Sequence, residues 1–516
     1  MLRNHRWRVV KGYHKGLWSL CSRFESWPAS RRTVAELDAR IHRQGIVSAD
    51  DTNGSDTSLA VIILAAGLGT RMKSRTPKEL QPILGRPMLD YVLRAADVPA
   101  IAQRIVVLSP AKSAIAEQLP DDVQVAWQDE QLGTGHAAAC ALDQLNDDIT
   151  HVAVLFGDHP LLERSAINGL VETTTEAGGL ITLLTTIVDD PASYGRVKRN
   201  AGQIVGVVEA KDDPQQYDGP VEIYSGISCY ERRWLEQHLP EIERSPGGEY
   251  YLTTLVEMAA RDDSMSVPVV AVQADPTVAY GVNDRIDLAR AEQILKDRIL
   301  ERLMRGGVTV ADPNSTFIDD AVEVGMDTRI EPFTIIRGTT VVGEGSVIGP
   351  QSVITDSRIG NECEIVSSHL NGATVGDRVH IGPFAHLRAG ARLADDVHVG
   401  NYAEIKESQI GRLTRVGHFS YIGDALIGED VNIGAGTVTC NYDGNAKHRT
   451  TIGDRCFIGS DTMLVAPVTV GNDAVTGAGS VVNRDVGPNE TVVGVPARVK
   501  GPARRHQIGT DGEGTA

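Results

Sequence analysis

The stretch VGHFSYIGDALIGEDVNIG, residues 416–434, sets aliphatic–glycine pairs at 416–417, 422–423, 427–428 and 433–434. A step of six residues fits neither an amphipathic helix nor a half-buried strand. The pair recurs upstream at Val342-Gly343, Ile348-Gly349, Val375-Gly376, Ile381-Gly382 and Ile410-Gly411, and downstream at Ile452-Gly453, Ile458-Gly459 and Val470-Gly471. Phase kept over that length marks a hexapeptide parallel β-helix, in which the aliphatic side chain points inward and the small residue lets the chain turn a corner. Three hexapeptides close one triangular coil, so the segment holds about ten coils. Phase breaks at 427 and around CNYDGNAKHR, residues 440–449, predict a shifted corner and an excursion loop. Loops on a regular scaffold are where function concentrates.

The chain before this segment has another texture. LAVIILAAG (59–67), QRIVVLSP (103–110), HVAVLFGDHP (151–160) and GGLITLLTT (178–186) read as buried strands bounded by turns. Amphipathic stretches between them read as helices. The rhythm predicts an α/β fold with a doubly wound, mostly parallel sheet over 58–284, whose ligands sit at the carboxyl ends of the strands. Residues 285–306 place Leu288, Ala291, Leu295, Ile299 and Leu303 on one stripe, before Gly306-Gly307. That is a helical linker or an ordinary domain helix. The β-helix follows over 307–502, with a tail at 503–516.

The chain has 516 residues and a formal net charge of −18. A field of that sign repels phosphates, so nucleic acid and anionic membrane are poor partners, and a phosphate-bearing ligand needs local cations. No apolar run reaches the roughly 18 residues of a membrane span. Cysteines at 21, 140, 229, 363, 440 and 456 form no CxxC, as expected of a reduced cytoplasmic protein. Residues 1–57 hold three of the five tryptophans, and residues 1–34 hold one acid, Glu25. They are expected to be a dispensable leader without fixed structure; a transit peptide or a partner-binding arm are the alternatives.

At the end of the first strand stands LAAGLGTRM, residues 64–72. It lacks the GxGxxG of a dinucleotide fold and the GxxxxGK[ST] of a P-loop. It has two glycines, through which backbone N–H groups approach a phosphate, and cations at Arg71 and Lys78. The residues alone leave a nucleotide-phosphate loop and a plain strand–helix turn both open.

LAAGLGTRMKSRTPKEL (64–80) resembles the signature of sugar-1-phosphate nucleotidyltransferases. QDEQLGTGHA, GDHPLL, YGRV, VVEAKD and GVNDR follow in order, and the β-helix carries GPFAHLRAG, VGNYAEIKES, GHFSYIGDA, VNIGAGTVTCNYDG and IGSDTMLVAPVTVG. Together, over residues 58–500, they resemble the bifunctional N-acetylglucosamine-1-phosphate uridylyltransferase / glucosamine-1-phosphate N-acetyltransferase family. The resemblance implies a Rossmann-like nucleotidyltransferase domain, then a left-handed β-helix. In the first, a sugar-1-phosphate oxygen attacks the α-phosphorus of UTP and pyrophosphate leaves. It places the nucleotide on Leu64, Ala65, Ala66 and Gly67, the uracil edge on Gln128, Gly133 and Thr134, and the triphosphate before Arg71 and Lys78 as catalytic cations. Phe156 and Gly157 flank Asp158, which with Asn283 would hold Mg²⁺, an ion suited by few protein oxygens. Gly195 and Glu209 would contact the sugar. The family's NTG reads Tyr224-Ser225-Gly226 here, so Tyr224 is expected to offer an O–H where the family has an amide, at a cost of about 1–3 kcal/mol if the bond is lost.

On the β-helix the resemblance makes His418 the base that takes the proton of the sugar amine. Arg388, Lys406, Tyr421 and Asn432 would bind glucosamine-1-phosphate, and Ala435, Asn441, Tyr442, Ser460 and Ala478 the co-substrate acetyl-CoA. Gly494 falls near the expected basic contact for the CoA phosphates, and Arg498 is the candidate substitute. A homotrimer with the acetyl site between subunits is implied. Rival readings are a nucleotidyltransferase with a non-catalytic β-helix, a zinc-binding hexapeptide protein using His380, His386 and His398, and a non-enzymatic trimeric scaffold.

Overall fold

The computed structural model describes residues 57–502 except 193, 214, 216 and 218. The expected leader, but for residue 57, and the tail lie outside the described residues. In chain order the first half runs β1 (Leu59–Leu64), α1 (Met88–Ala95), β2 (Ile101–Leu108), β3 (Val123–Trp127), α2 (Thr134–Leu142), β4 (His151–Phe156), α3 (Arg164–Ala177), β5 (Ile181–Val188), β6 (Gly195–Asn200), β7 (Gln203–Val208), β8 (Val221–Glu231), α4 (Arg232–His238), α5 (Thr254–Ala260), β9 (Val269–Gln273) and α6 (Arg285–Arg305).

The main sheet has the order β9-β5-β8-β4-β1-β2-β3, with β6 attached to β8 and β7 to β6. β1 is parallel to β2 and β4, as the sequence predicts. β8 runs antiparallel to both β4 and β5, and the sequence gives little sign of it: the strand is interrupted by Gly226, and its register shifts between Tyr224 and Ser228. Every residue of β1 is buried, because helices cover both faces of the sheet. Ala60, Ile62 and Leu64 enter the core formed with α2, α4 and α5, while Leu59, Val61 and Ile63 enter the one formed with α1 and α3. Each such side chain, fully buried, contributes about 1.5–3 kcal/mol.

The second half winds through three parallel sheets in turn. One holds strands from Thr309–Val310 to Arg498–Pro502, one from Phe317–Ile318 to Val481–Val482, and one from Glu323–Val324 to Val468–Val470. Ile348, Ile354 and Ile359 show the pattern: one buried aliphatic per face, then a turn. Buried hydroxyls tie the coils together. Ser408 Oγ donates to the Lys406 carbonyl at 2.8 Å and accepts the Ala425 N–H at 3.0 Å.

Two details refine the expected repeat. The five-residue step at 422→427 is not an isolated break, because 354→359, 370→375 and 405→410 make the same short corner through Asp356, Gly372 and Glu407, all at positive φ. The excursion at 440–449 replaces that corner between Val438–Cys440 and Thr450–Ile452.

α6 is more than a spacer. Ala291, Leu295, Ile299 and Leu303 join one core with Ile318, Ile330 and Ile336 of the first coils and with Ile83, Leu84 and Met88 of the first half. Its buried Lys296 donates to the carbonyls of Pro313 and Asn314 at 3.1 and 3.2 Å. Asp320, on the first coil, accepts from Arg86 Nε at 2.6 Å. The described residues form one compact unit.

Candidate active sites

A cleft of about 730 Å³ opens at the carboxyl ends of β1 and β4. Leu64, Ala65, Ala66 and Gly67 form one wall, and Gln128, Gly133 and Thr134 another. Phe156, Asp158, Gly195, Glu209, Tyr224 and Asn283 complete it, so residues spread over more than two hundred positions converge as the resemblance implies. The wall near Gln128 is built tightly. Its Nε2 donates to the Gly133 carbonyl at 3.3 Å, and its own N–H is bonded to the Leu108 carbonyl. Gly133 has φ +106, and a Cβ there would lie 2.6 Å from the Tyr250 carbonyl oxygen, so only glycine fits. Thr134 Oγ1 accepts the Leu252 N–H, and Glu209 accepts from Thr253 at 2.9 Å.

Two expected residues stand off the wall. Gly157 packs beneath it, where a Cβ would come within 3.0 Å of Ala65 Cβ; its role is close approach of β4 to β1. Arg71 lies on the exposed turn Thr70–Met72 and reaches across to donate to Asn283 Oδ1 at 2.9 Å.

Lys78 Nζ donates to Asp158 Oδ2 at 2.5 Å. Burial pushes the Asp158 carboxyl up, but the charges of His159 and Lys78 outweigh it and keep it below its ordinary range. Burial lowers His159, whose ring stacks on Phe156. Asp158 Oδ1 is buried without a hydrogen-bond partner. The Asp158 carbonyl accepts the Val282 N–H at 2.9 Å, which brings the Asn283 turn beside it. An orphaned carboxylate oxygen next to an amide oxygen is a donor set that suits a hard divalent cation.

Tyr224 departs from expectation. Its hydroxyl is bonded to Ser228 Oγ at 2.8 Å, which donates on to Tyr230 at 2.8 Å, all buried. The phenol is therefore engaged inside the core rather than offered to a sugar.

On the β-helix, a groove of about 260 Å³ is lined by His398, Asn401, Arg415, Gly417, His418 and Asn432 among others. Ala435, Ser460 and Ala478 stack coil above coil in line with His418. A Cβ on Gly417, Gly434 or Gly459 would meet the backbone N of Ala435, Ser460 or Ala478 at 2.8, 2.5 and 2.6 Å, so each coil presses on the next. The ladder rises about 14 Å over three coils, a track for a long thin ligand.

Arg388, Lys406 and Tyr421 do not line that groove. They gather on the second sheet with a residue the sequence reading missed, Lys447 of the excursion loop. Contact with Lys447, as a side-chain hydrogen bond and then as a like charge, lowers the Lys406 ammonium, with desolvation and the charge of Arg388 adding to it and Asp424 opposing. Asn441 Nδ2 donates to Asp424 at 2.5 Å and to the Tyr421 hydroxyl at 3.5 Å. Gly423 makes room for both: a Cβ there would lie 2.5 Å from the Tyr421 oxygen. Arg388, paired with Glu404 at 2.8 Å, stands with Lys406 and Lys447 near the Tyr421 phenol, and such cations suit a phosphate. The signal for Lys447 was its place in the loop AKHR, where the repeat breaks. Tyr442 is exposed on the same loop and bridges to Lys447 as an isolated β-pair. Gly494 turns at φ +97, and Arg498 starts the closing antiparallel strand with its guanidinium on the Ala497 carbonyl.

The zinc alternative loses its geometry. His380 and His398 stack on the first sheet at 6.1 Å between ring centroids, but His386 belongs to the second sheet, paired with His369. Among the described residues no group of three or more His, Cys, Asp or Glu is placed to share a metal ion. No described helix is long and apolar enough to cross a membrane.

Two family models match the chain. Residues 61–200 match the MobA-like NTP transferase domain, and residues 321–356, 372–407 and 449–484 match the bacterial transferase hexapeptide repeat. The chain is 46% identical over 435 residues to the bifunctional protein GlmU of Fervidobacterium nodosum, covering 84% of this chain and 94% of that one. It is 46% identical to GlmU of Heliobacterium modesticaldum, covering 82% and 93%. It is 39% identical over 470 residues to GlmU of Corynebacterium glutamicum, covering 89% and 96%. The NTP transferase match, the hexapeptide repeats and likeness to these relatives over more than four fifths of the chain lead to one conclusion: the chain belongs to the GlmU family of bifunctional proteins.

Proposed function

We propose that the chain acetylates glucosamine-1-phosphate with acetyl-CoA on the β-helix and joins N-acetylglucosamine-1-phosphate to UTP in the front cleft, releasing pyrophosphate. The uridylyltransferase part is 58–284, the helix 285–306 joins it to the acetyltransferase part 307–502, and the protein works in the cytoplasm. The observation that carries the reading is the convergence of Gln128, Gly133, Asp158 and Asn283 on one cleft while His418 heads a separate ladder of small residues.

In the cleft, the N–H groups of Ala66 and Gly67 and the Lys78 ammonium face the charge that builds up on the phosphates. Holding the two reactants in line is most of what this chemistry asks. Asp158 and Asn283 are the residues that would hold Mg²⁺, which when bound offsets phosphate charge. Lys78 is paired with Asp158 Oδ2 and Arg71 donates to Asn283 Oδ1, which leaves Asp158 Oδ1 as the carboxylate oxygen without a hydrogen bond.

On the β-helix, His418 takes the ammonium proton so that the amine can attack the acetyl carbonyl. Arg388, Lys406 and Lys447 take the sugar phosphate, with Tyr421 and Asn432 on its hydroxyls. Ala435, Ser460 and Ala478 support the pantetheine arm, and Asn441 and Tyr442 cover its acetyl end. The cation cluster and the His418 groove lie on different faces of the coil, which supports a site completed by a neighbouring subunit in a homotrimer. Dissociated monomer would then lose acetyl transfer and keep uridylyl transfer.

The test is incubation of purified protein with glucosamine-1-phosphate, acetyl-CoA, UTP and Mg²⁺, beside Asp158→Ala and His418→Ala. Separate loss of the two activities is expected. Undiminished acetyl transfer by His418→Ala rejects the rear assignment.

A further inference from the structure

Lys112 lies outside every motif of the cleft, on the short turn Pro110–Lys112 after β2. Its Nζ donates to the Ala65 carbonyl at 2.7 Å and to Glu79 Oε1 at 2.7 Å. The two side chains are only 6% and 3% exposed, a depth that Lys and Glu seldom reach. Burying such a pair is weak evidence for stability, since desolvation offsets most of the attraction. Its effect is better sought in what it holds.

What it holds is a peptide plane. In a trans peptide the carbonyl and the following N–H point in opposite directions. The Ala65 N–H is bonded to the Val107 carbonyl at 3.0 Å, and Lys112 fixes the Ala65 carbonyl. The Ala66 N–H is thereby turned to the side away from Lys112, and among the described residues no acceptor takes it. Ala66 and Gly67 line the cleft. Glu79, the other partner, directly follows Lys78, whose ammonium is on Asp158. One buried lysine thus ties the glycine turn to the segment bearing the phosphate-facing lysine. Glu79 Oε2 is itself buried and unpartnered, so nothing else compensates that carboxylate as Lys112 does.

We propose that Lys112 is a positioning residue for uridylyl transfer, which grips the Ala65 carbonyl and Glu79 together and so presents the Ala66–Gly67 N–H groups and the Lys78 ammonium to the nucleotide triphosphate. The inference rests on reading the cleft as the uridylyltransferase site.

The experiment compares Lys112→Met, which keeps length without charge, and Lys112→Met/Glu79→Gln, which also removes the stranded carboxylate. Steady-state uridylyl transfer is measured against UTP and against N-acetylglucosamine-1-phosphate, with acetyl transfer on the same preparations as the control for folding and thermal unfolding alongside. Misplacement of a binding loop predicts a fall in kcat/KM for UTP of roughly 10- to 100-fold. The sugar-phosphate KM and acetyl transfer should stay within about twofold. The double variant should regain thermal stability and keep the UTP defect, which a merely structural role would not do. UTP kinetics unchanged in both variants, or restored together with stability in the second, overturn the proposal. If Lys112→Met does not fold, the double variant carries the same comparison. Uridylyl transfer by the unsubstituted protein tests the cleft reading separately, and its absence overturns both.

Discussion

The Lys78 ammonium lies 2.5 Å from Oδ2 of Asp158, while Oδ1 of the same carboxylate is buried without a hydrogen-bond partner, His159 Nε2 standing 3.6 Å away. One oxygen is thus neutralised by the chain and the other is left for a ligand. Asp158→Asn keeps the shape and removes the charge. We expect uridylyl transfer to fall at least about 100-fold, the size of a lost electrostatic contact to a transition state, with acetyl transfer unchanged. Chelation should stop the front reaction, and Mg²⁺ should restore it in the parent but not in the variant. Coupled assays of pyrophosphate and free CoA on one preparation decide this. Because the folded carboxyl sits below its ordinary value of about 3.9, its pairing with Lys78 is complete above that value and is lost only as pH falls through the lower folded one.

Lys447 is hydrogen-bonded to Lys406 and crowds it with like charge, which an anion bound between them would offset. Lys447→Ala should raise the KM for glucosamine-1-phosphate about 10- to 100-fold, as the loss of one charge-assisted hydrogen bond to the phosphate would. The KM for acetyl-CoA should move little. Steady-state acetyl transfer with each substrate varied separates the two. A change confined to acetyl-CoA would place Lys447 on the wrong ligand.

The β-helix was legible in the sequence because each coil repeats the same steric demand, an inward aliphatic at 416, 422, 427 and 433 followed by glycine. The cleft residues could be placed because short motifs fall at strand ends, as Asp158 does after β4. Four features could not be read this way. β8 is antiparallel, and a strand's direction leaves no mark in its own residues. Lys447 sits on a loop whose path is set by where it leaves the coil. Tyr224 read as a residue facing the ligand, but the choice between cleft and core depended on Ser228 four positions on. Lys112 had no motif at all, since its partners Ala65 and Glu79 are 47 and 33 positions away.

The Tyr224–Ser228–Tyr230 chain gives the third prediction. If the phenol serves the core, Tyr224→Phe should leave the KM for N-acetylglucosamine-1-phosphate within about twofold and cost about 1 kcal/mol of stability, the net value of one buried hydrogen bond. Thermal unfolding and sugar-phosphate kinetics on the same sample check it. A KM rise of tenfold or more with no loss of stability would return the hydroxyl to the sugar.

Asp443 governs the loop that carries Tyr442 and Lys447. Its carboxylate accepts the N–H groups of Ala446 and Asn445, each at 2.8 Å, and a bond from His448 Nε2 at 2.6 Å. These, the backbone donors first, hold the carboxyl far below its usual range. The group is therefore ionised wherever transfer is assayed, and its pinning of the loop is lost only in acid well below about pH 3.9. Asp443→Asn keeps the side-chain volume but weakens three bonds to the loop. The KM for glucosamine-1-phosphate should rise about three- to tenfold, as the weakening of these loop bonds would cause. The unfolding temperature should hold, because the loop adds no residue to the aliphatic core. The ratio of variant to parent KM should be the same at every pH from about 6 to 9, since the parent Asp443 does not titrate there. A ratio that varies across that range would mean that His448, and not the carboxylate, sets the shape of the loop.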